Sequence, residues 1–182
     1  MADVFLDVVD EEDKVIGKAL RSEIHTIGLI HREVHVWYVT LSGGIVFQRR
    51  APNKETFPNL LDATVGGHVE LGMSYEAAAL MEMQEETGII ATVDDLYFID
   101  KSKSKSFDDV TKKINHCFRS TYGYIFNQPL SSLCIEVGQG EGFVEVPIEQ
   151  IMNPPQELSS IIVPALIKPE RKSIYTKLQN II

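Results

Sequence analysis

Apolar and polar positions alternate most regularly over residues 34–41. Val34, Val36, Tyr38 and Thr40 fall on one face, and His35, Trp37, Val39 and Leu41 on the other, as a β-branched and aromatic strand requires. Ser42, Gly43 and Gly44 supply a hairpin turn, after which Ile45, Val46 and Phe47 return as a strand ending in Gln48, Arg49 and Arg50. Upstream, the apolar residues 4–9, an acidic turn at 10–13, and Val15 and Ile16 before Gly17 predict a small β-hairpin. Residues 24–30 read as a further strand.

Downstream, residues 51–61 form a loop and 63–65 a short strand before a glycine-rich turn. Ser74 is a plausible N-cap for a helix running to Thr87, with Gly88 at its C-cap. Strands are expected near 96–99 and over 114–126. The run KSKSKS at 101–106 between them reads as a solvated hairpin loop, or else as a lid touching phosphate. Pro147 can open a short helix to Ile151, and residues 158–182 read as helix interrupted by Pro164 and Pro169. No internal repeat is present. The order predicts a mixed α/β domain over residues 24–182, helices packed on a curved mixed sheet, with residues 1–23 as a hairpin extension.

Composition narrows the class. The chain has 182 residues, 44% apolar and 24% charged, which suits one globular domain. No apolar stretch approaches the ~20 residues of a membrane span, and residues 1–7 lack the pattern of a secretory signal. Cys117 and Cys134 cannot build a disulfide framework and read as two buried thiols of a cytoplasmic protein. The net charge of −9 argues against a nucleic-acid partner, which needs a basic footprint. It also means that a phosphate ligand requires divalent cations or a local basic cluster.

The segment 66–89, GGHVELGMSYEAAALMEMQEETGI, carries the chemistry. Glu82, Glu85 and Glu86 are spaced to share one helix face. Crowded carboxylates repel and hold protons more tightly, and a hard cation such as Mg²⁺ reverses that penalty. Ala78 lies one turn earlier on nearly the same face, leaving room beside the glutamates, whereas Ala79, Leu80 and Met83 face the sheet. The backbone can approach closely at Gly66 and Gly67, so a strand end and a helix face could converge on one ion. Three such glutamates alone also fit a solvated helix face; the flanking glycines shift the balance.

Gly67, Glu82, Met83, Glu85, Glu86, Gly88 and Ile89 stand at the spacing of the Nudix box, which this segment resembles. The resemblance implies an α/β/α sandwich whose loop–helix–loop binds Mg²⁺ or Mn²⁺. It places Glu82, Glu85 and Glu86 on the metal-binding glutamates, and Gly66 on the glycine whose carbonyl can join them. Met73 stands where the box has its first glutamate and Met81 where it has arginine. Two changes to methionine suggest that an ionic contact has been exchanged for an apolar one.

Other residues resemble a Nudix branch related to isopentenyl-diphosphate isomerase: the run 31–35 (HREVH), Gln48 to Arg50, Lys54, and Gly66 to His68. In that isomerase a cysteine precedes the Gly-His pair, and here Gly66 stands there instead. Allylic isomerisation therefore lacks its thiol. His25, His31 and His68 could form a second metal site or serve as ordinary hydrogen-bonding histidines. Arg49, Arg50 and Lys54, with His68, are candidate substrate contacts, or a solvated strand end. Glu141, flanked by Gly140 and Gly142, is the candidate extra base outside the box, with Glu136 second.

The expected activity is metal-dependent hydrolysis of a small-molecule diphosphate, such as a nucleoside diphosphate linked to another group, with Glu82, Glu85 or Glu141 as base. The competing reading is a Nudix-fold binding module that Met73 and Met81 have deprived of turnover. The N-terminal hairpin also offers an edge for pairing across a homodimer.

Overall fold

Two antiparallel strands, β1 (Phe5–Val9) and β2 (Val15–Leu20), open the computed structural model, which describes residues 3–136, 138 and 140–182. Asp10 caps their turn, its Oδ1 accepting from the backbone N–H groups of Glu12 and Lys14 at 2.9 Å. Leu6, Val8 and Ala19 form a small cluster with Ile24. That isoleucine lies on α1 (Arg21–Ile27), so a helix occupies most of the expected strand. The reason is local. Ile24 is the one buried residue of the turn, and Gly28 (φ 75°) closes it by donating its N–H to the Ile24 carbonyl.

The main sheet has seven strands. Its path runs β5 (Leu61–Asp62), β4 (Gly44–Arg50), β3 (Ile30–Thr40), β8 (Ile114–Phe126) and β7 (Tyr97–Phe107), with β6 (Val65–His68) on β3 and β9 (Gly140–Pro147) on β4. β3 pairs parallel with β8 and antiparallel with β4 and β6, which makes the sheet mixed. β4 and β6 share one flank of β3: β4 pairs at Tyr38 and Val39, and β6 at residues 33–36. This division brings Gly66 and Gly67 into the middle of the sheet rather than to its rim.

The alternation along β3 sorts its side chains into two cores. Val34, Val36 and Tyr38 join Val65, Ala78, Ala79 and Met83 beneath α2 (Tyr75–Thr87). Trp37 and Val39 join Phe47, Ile148, Ile151, Tyr175 and Leu178 on the opposite face, beneath α3 (Ile148–Met152) and α5 (Lys172–Gln179). The result is a sandwich with a small N-terminal hairpin. The short α4 (Gln156–Ser159) lies in the connection to α5.

Further expectations differ from the structure, beginning with the short strand at 63–65: residues 63 and 64 instead link β5 to β6. The KSKSKS run is strand, not loop: it lies within β7 and pairs with β8. Two of its lysines have acidic partners, Lys101 with Asp13 and Lys103 with Glu11, so the acidic turn of the hairpin supports a stretch that composition alone assigns to solvent. Only one thiol is buried, since Cys134 is exposed. Ala78 is buried in the α2 core rather than lining open space.

Candidate active site

The helix that bears the glutamates is defined at both ends. Ser74 Oγ accepts from the Ala77 N–H at 3.2 Å, and Gly88 (φ 72°) donates its N–H to the Gln84 carbonyl. With Ala78, Ala79 and Met83 committed to the core, Glu82 and Glu86 face β6. The loop before the helix is tied to the hairpin: Leu6 bridges Glu70, and the Gly72 N–H donates to Asp7 Oδ2 at 2.9 Å. Asp13 of the same hairpin accepts from Arg32 Nε at 2.6 Å and the Tyr75 hydroxyl at 2.9 Å.

Gly67 has a steric explanation. A Cβ there would lie 1.8 Å from Glu82 Oε1, inside any permitted contact. The Gly66 N–H donates to Glu86 Oε2 at 3.4 Å, and a Cβ on Gly66 would come within 3.0 Å of the His35 ring. The glycine pair thus lets two carboxylates settle against a backbone that a side chain would block.

These carboxylates are poorly compensated. Burial pushes Glu82 up to about 7, with the charges of Glu85 and Glu136 adding to the effect. Burial and the Glu82 charge push Glu86 up to about 8. Two crowded oxygen donors whose charge is held back by their surroundings match what a hard divalent cation stabilises, so the donor set fits Mg²⁺ or Mn²⁺. Glu85 is exposed on the same helix.

The basic candidates separate. Lys54 is close enough to Glu86 and Glu136 to feel both charges, although burial and Arg50 push it below its ordinary value. Arg50 is engaged, donating to Asp62 Oδ2 at 2.7 Å and to the Thr56 carbonyl at 3.1 Å. Arg49 donates one nitrogen to the Asn59 carbonyl at 3.1 Å. Both arginines therefore also shape the loop that presents Lys54. Of the two loop carboxylates, Glu136 is among the leading charges on Glu82 and Glu86, whereas Glu141 lies exposed on β9. Met73 packs against the α2 core, while Met81 is half-buried and outside that cluster.

A second polar group lies on the other face of β3. His25, His31 and His68 bring their ligating nitrogens within 4.8 Å of one another, and His25 Nε2 is 3.0 Å from His68 Nε2. His31 Nε2 is buried without a hydrogen-bond partner. Burial holds His68 down at about 3, and burial with His31 lowers His25. Beside them Glu33 accepts from Arg119 Nη2 at 2.6 Å, Asn115 Nδ2 at 2.9 Å and Cys117 Sγ at 3.2 Å. Burial alone would raise the Glu33 carboxyl, but Arg119 and the histidines hold it well below the carboxylate range. Burial and Glu33 push the Cys117 thiol up to about 12. Glu33, Arg119 and Glu136's reach were not evident from the sequence; the signal for Glu33 was its place between His31 and His35 on one strand face.

The NUDIX domain family model matches residues 29–166. The chain is 32% identical over 154 residues to an uncharacterized Nudix hydrolase of Clostridium acetobutylicum, covering 83% of this chain and 73% of that one. It is 46% identical over 87 residues to another from Streptomyces coelicolor, spanning 48% of each chain. A crystal structure from Deinococcus radiodurans aligns with TM-score 0.64 and 24% identity, over 81% of this chain and 86% of that one. A NUDIX domain of Shewanella oneidensis complexed with ADP ribose aligns with TM-score 0.53 and 14% identity, over 78% and 86%. The box glutamates against paired glycines, the mixed-sheet sandwich and these similarities agree: the chain belongs to the Nudix hydrolase family.

Proposed function

We propose that the protein hydrolyses a small organic diphosphate with the help of Mg²⁺ or Mn²⁺ at the box. The observation carrying this reading is the Glu82–Glu86 pair, held against Gly66 and Gly67, with neither carboxylate in an ion pair among the described residues. Glu82 and Glu86, with Glu85 and the Gly66 carbonyl, would hold the cation. Such an ion neutralises phosphate charge and acidifies the attacking water. Glu82 or Glu85 would take the proton, with Glu136 before β9 and Glu141 on β9 as the carboxylates outside the box that could share the task. Lys54 would meet the phosphates, with Arg49 offering its remaining donors and Arg50 and His68 at the margin. A nucleoside diphosphate linked to another group is the leading substrate class.

A second metal reading rests on the orphaned Nε2 of His31, beside the imidazoles of His25 and His68 and the Glu33 carboxylate. Neutral imidazole is the ligand form, so this group could hold a further ion. A panel of diphosphates, assayed with Mg²⁺ and Mn²⁺ for release of monophosphate, tests the proposal. Turnover abolished in Glu86→Gln supports it. Binding without turnover across the panel overturns it in favour of a binding module.

A further inference from the structure

The hairpin of β1 and β2 precedes residue 29, where the match to the family model begins, yet it touches the box at several points. Leu6 bridges Glu70, and Asp7 holds the Gly72 N–H. A third contact is made by Asp13, the last residue of the acidic turn. Its φ of 63° lies in the left-handed region that residues other than glycine seldom adopt. Its carboxyl is 8% exposed and gathers donors from three elements: Arg32 Nε of β3 at 2.6 Å, the Tyr75 hydroxyl of α2 at 2.9 Å, and Lys101 Nζ of β7. Arg32 Nη2 also donates to the Asp13 carbonyl. The Tyr75 ring lies under both cations, with Arg32 Cζ 5.5 Å and Lys101 Nζ 4.8 Å from its centroid.

Burial would raise the Asp13 carboxyl, but Lys101, Arg32 and Tyr75 hold it below its ordinary value, so it is a fixed anion. Burial and Asp13 push the Tyr75 hydroxyl up, so it remains a donor. Charge-assisted bonds of this kind are directional, whereas apolar packing is not. Tyr75 is the first residue of α2. Glu82 follows it by seven residues, two turns along nearly the same face and about 10 Å up the axis. A rotation of the helix would withdraw Glu82 from Gly67, where it fits because no Cβ is present. Inside the box, positions 73 and 81 are methionines, of which Met73 packs against the α2 core and Met81 lies outside it. They offer no charged pair to fix that rotation.

We propose that Asp13 is a positioning residue: through the Tyr75 hydroxyl it fixes the rotation of α2 and so sets Glu82 and Glu86 against the glycine pair, a task performed from outside the box. The consequence for metal and turnover rests on the function proposed above; the placement of the helix does not.

The test compares Tyr75→Phe and Asp13→Asn with Glu11→Gln, which removes the exposed partner of Lys103 from the same turn. Asparagine accepts the left-handed conformation as aspartate does, and Tyr75→Phe leaves Arg32 and Lys101 their carboxylate. In metal-free protein, the Gly66 and Gly67 amide resonances should move in the first two variants and stay in place in Glu11→Gln, while the denaturant midpoint of Tyr75→Phe stays close to wild type. Mn²⁺ affinity should fall about tenfold or more in both. At saturating Mn²⁺, kcat should fall with KM unchanged, because the contact acts on the box carboxylates and not on substrate binding. Glycine resonances unmoved in both variants, or moved equally in Glu11→Gln, overturn the positioning role. A lowered midpoint in Tyr75→Phe with wild-type Mn²⁺ affinity makes the contact purely structural and overturns it too. Absence of Mn²⁺ binding in every protein, wild type included, would count against the proposed function and leave the resonances to decide.

Discussion

Two carboxylate sites, Glu33 buried and the Glu82–Glu86 pair half-buried, lie on opposite sides of the same glycine-rich strand, and their surroundings differ in kind. Glu33 accepts hydrogen bonds from an arginine, an asparagine and a thiol, and is held ionised. Glu82 and Glu86 face each other and a backbone amide, and burial holds their protons on well above the carboxylate range. Glu33 has what it needs from the protein alone. Among the described residues neither carboxylate of the box pair is in an ion pair, and what a cation would add is positive charge. Burial by itself therefore says little about a carboxylate's role; what surrounds it separates a structural group from one that waits for an ion.

Substitutions should separate the two sites, starting with the largest effect. Glu33→Gln leaves Arg119 buried with its charge uncompensated and should cost about 3–5 kcal/mol of stability in denaturant unfolding. A wild-type midpoint would erase the contrast. Glu86→Gln should do the reverse, leaving metal-free stability unchanged or higher while reducing turnover about a hundredfold or more. A variant that loses stability but keeps its rate would make Glu86 structural.

The pH dependence sharpens the same point. In the folded chain Glu82 and Glu86 keep their protons to about 7 and 8, against 4.5 ordinarily. The folded state therefore binds more protons than the unfolded one between these values, and their contribution to stability is lost as pH rises. In chelator, Tm should fall between pH 5 and 8 beyond any fall seen in Glu82→Gln/Glu86→Gln, and Mg²⁺ should remove the excess. Identical profiles for the two proteins would refute it. The smallest expected effect is at the box's two methionines. If they replaced an ionic contact together, Met73→Glu/Met81→Arg should deviate from additivity by about 0.5 kcal/mol or more, and strict additivity would show no coupling.

Much of the fold was legible because local signals agreed. Ser74 and Gly88 cap the helix where their chemistry places them, and the alternation along β3 assigns its side chains to the correct cores. The misreadings have two causes, one in long-range partners and one in a local cap. The KSKSKS run looks like loop until Asp13 and Glu11 of the hairpin meet its lysines. Residues 24–30 look like strand until Gly28 is recognised as a C-cap. At the candidate site, the glutamate spacing and the glycine pair were visible in sequence. The convergence of Glu33 with Arg119 was not, because 86 positions separate them and only the parallel β3–β8 register aligns them.

The most direct test of the central claim is a calorimetric titration of Mn²⁺ at pH 7 in buffers of different ionisation enthalpy. Binding at Glu82 and Glu86 must displace the protons they retain at that pH. Proton release on binding is expected, with both the release and the affinity lost in Glu86→Gln. Undiminished Mn²⁺ binding in Glu86→Gln, with binding abolished instead in His31→Ala, would contradict it and move the metal to the histidine group.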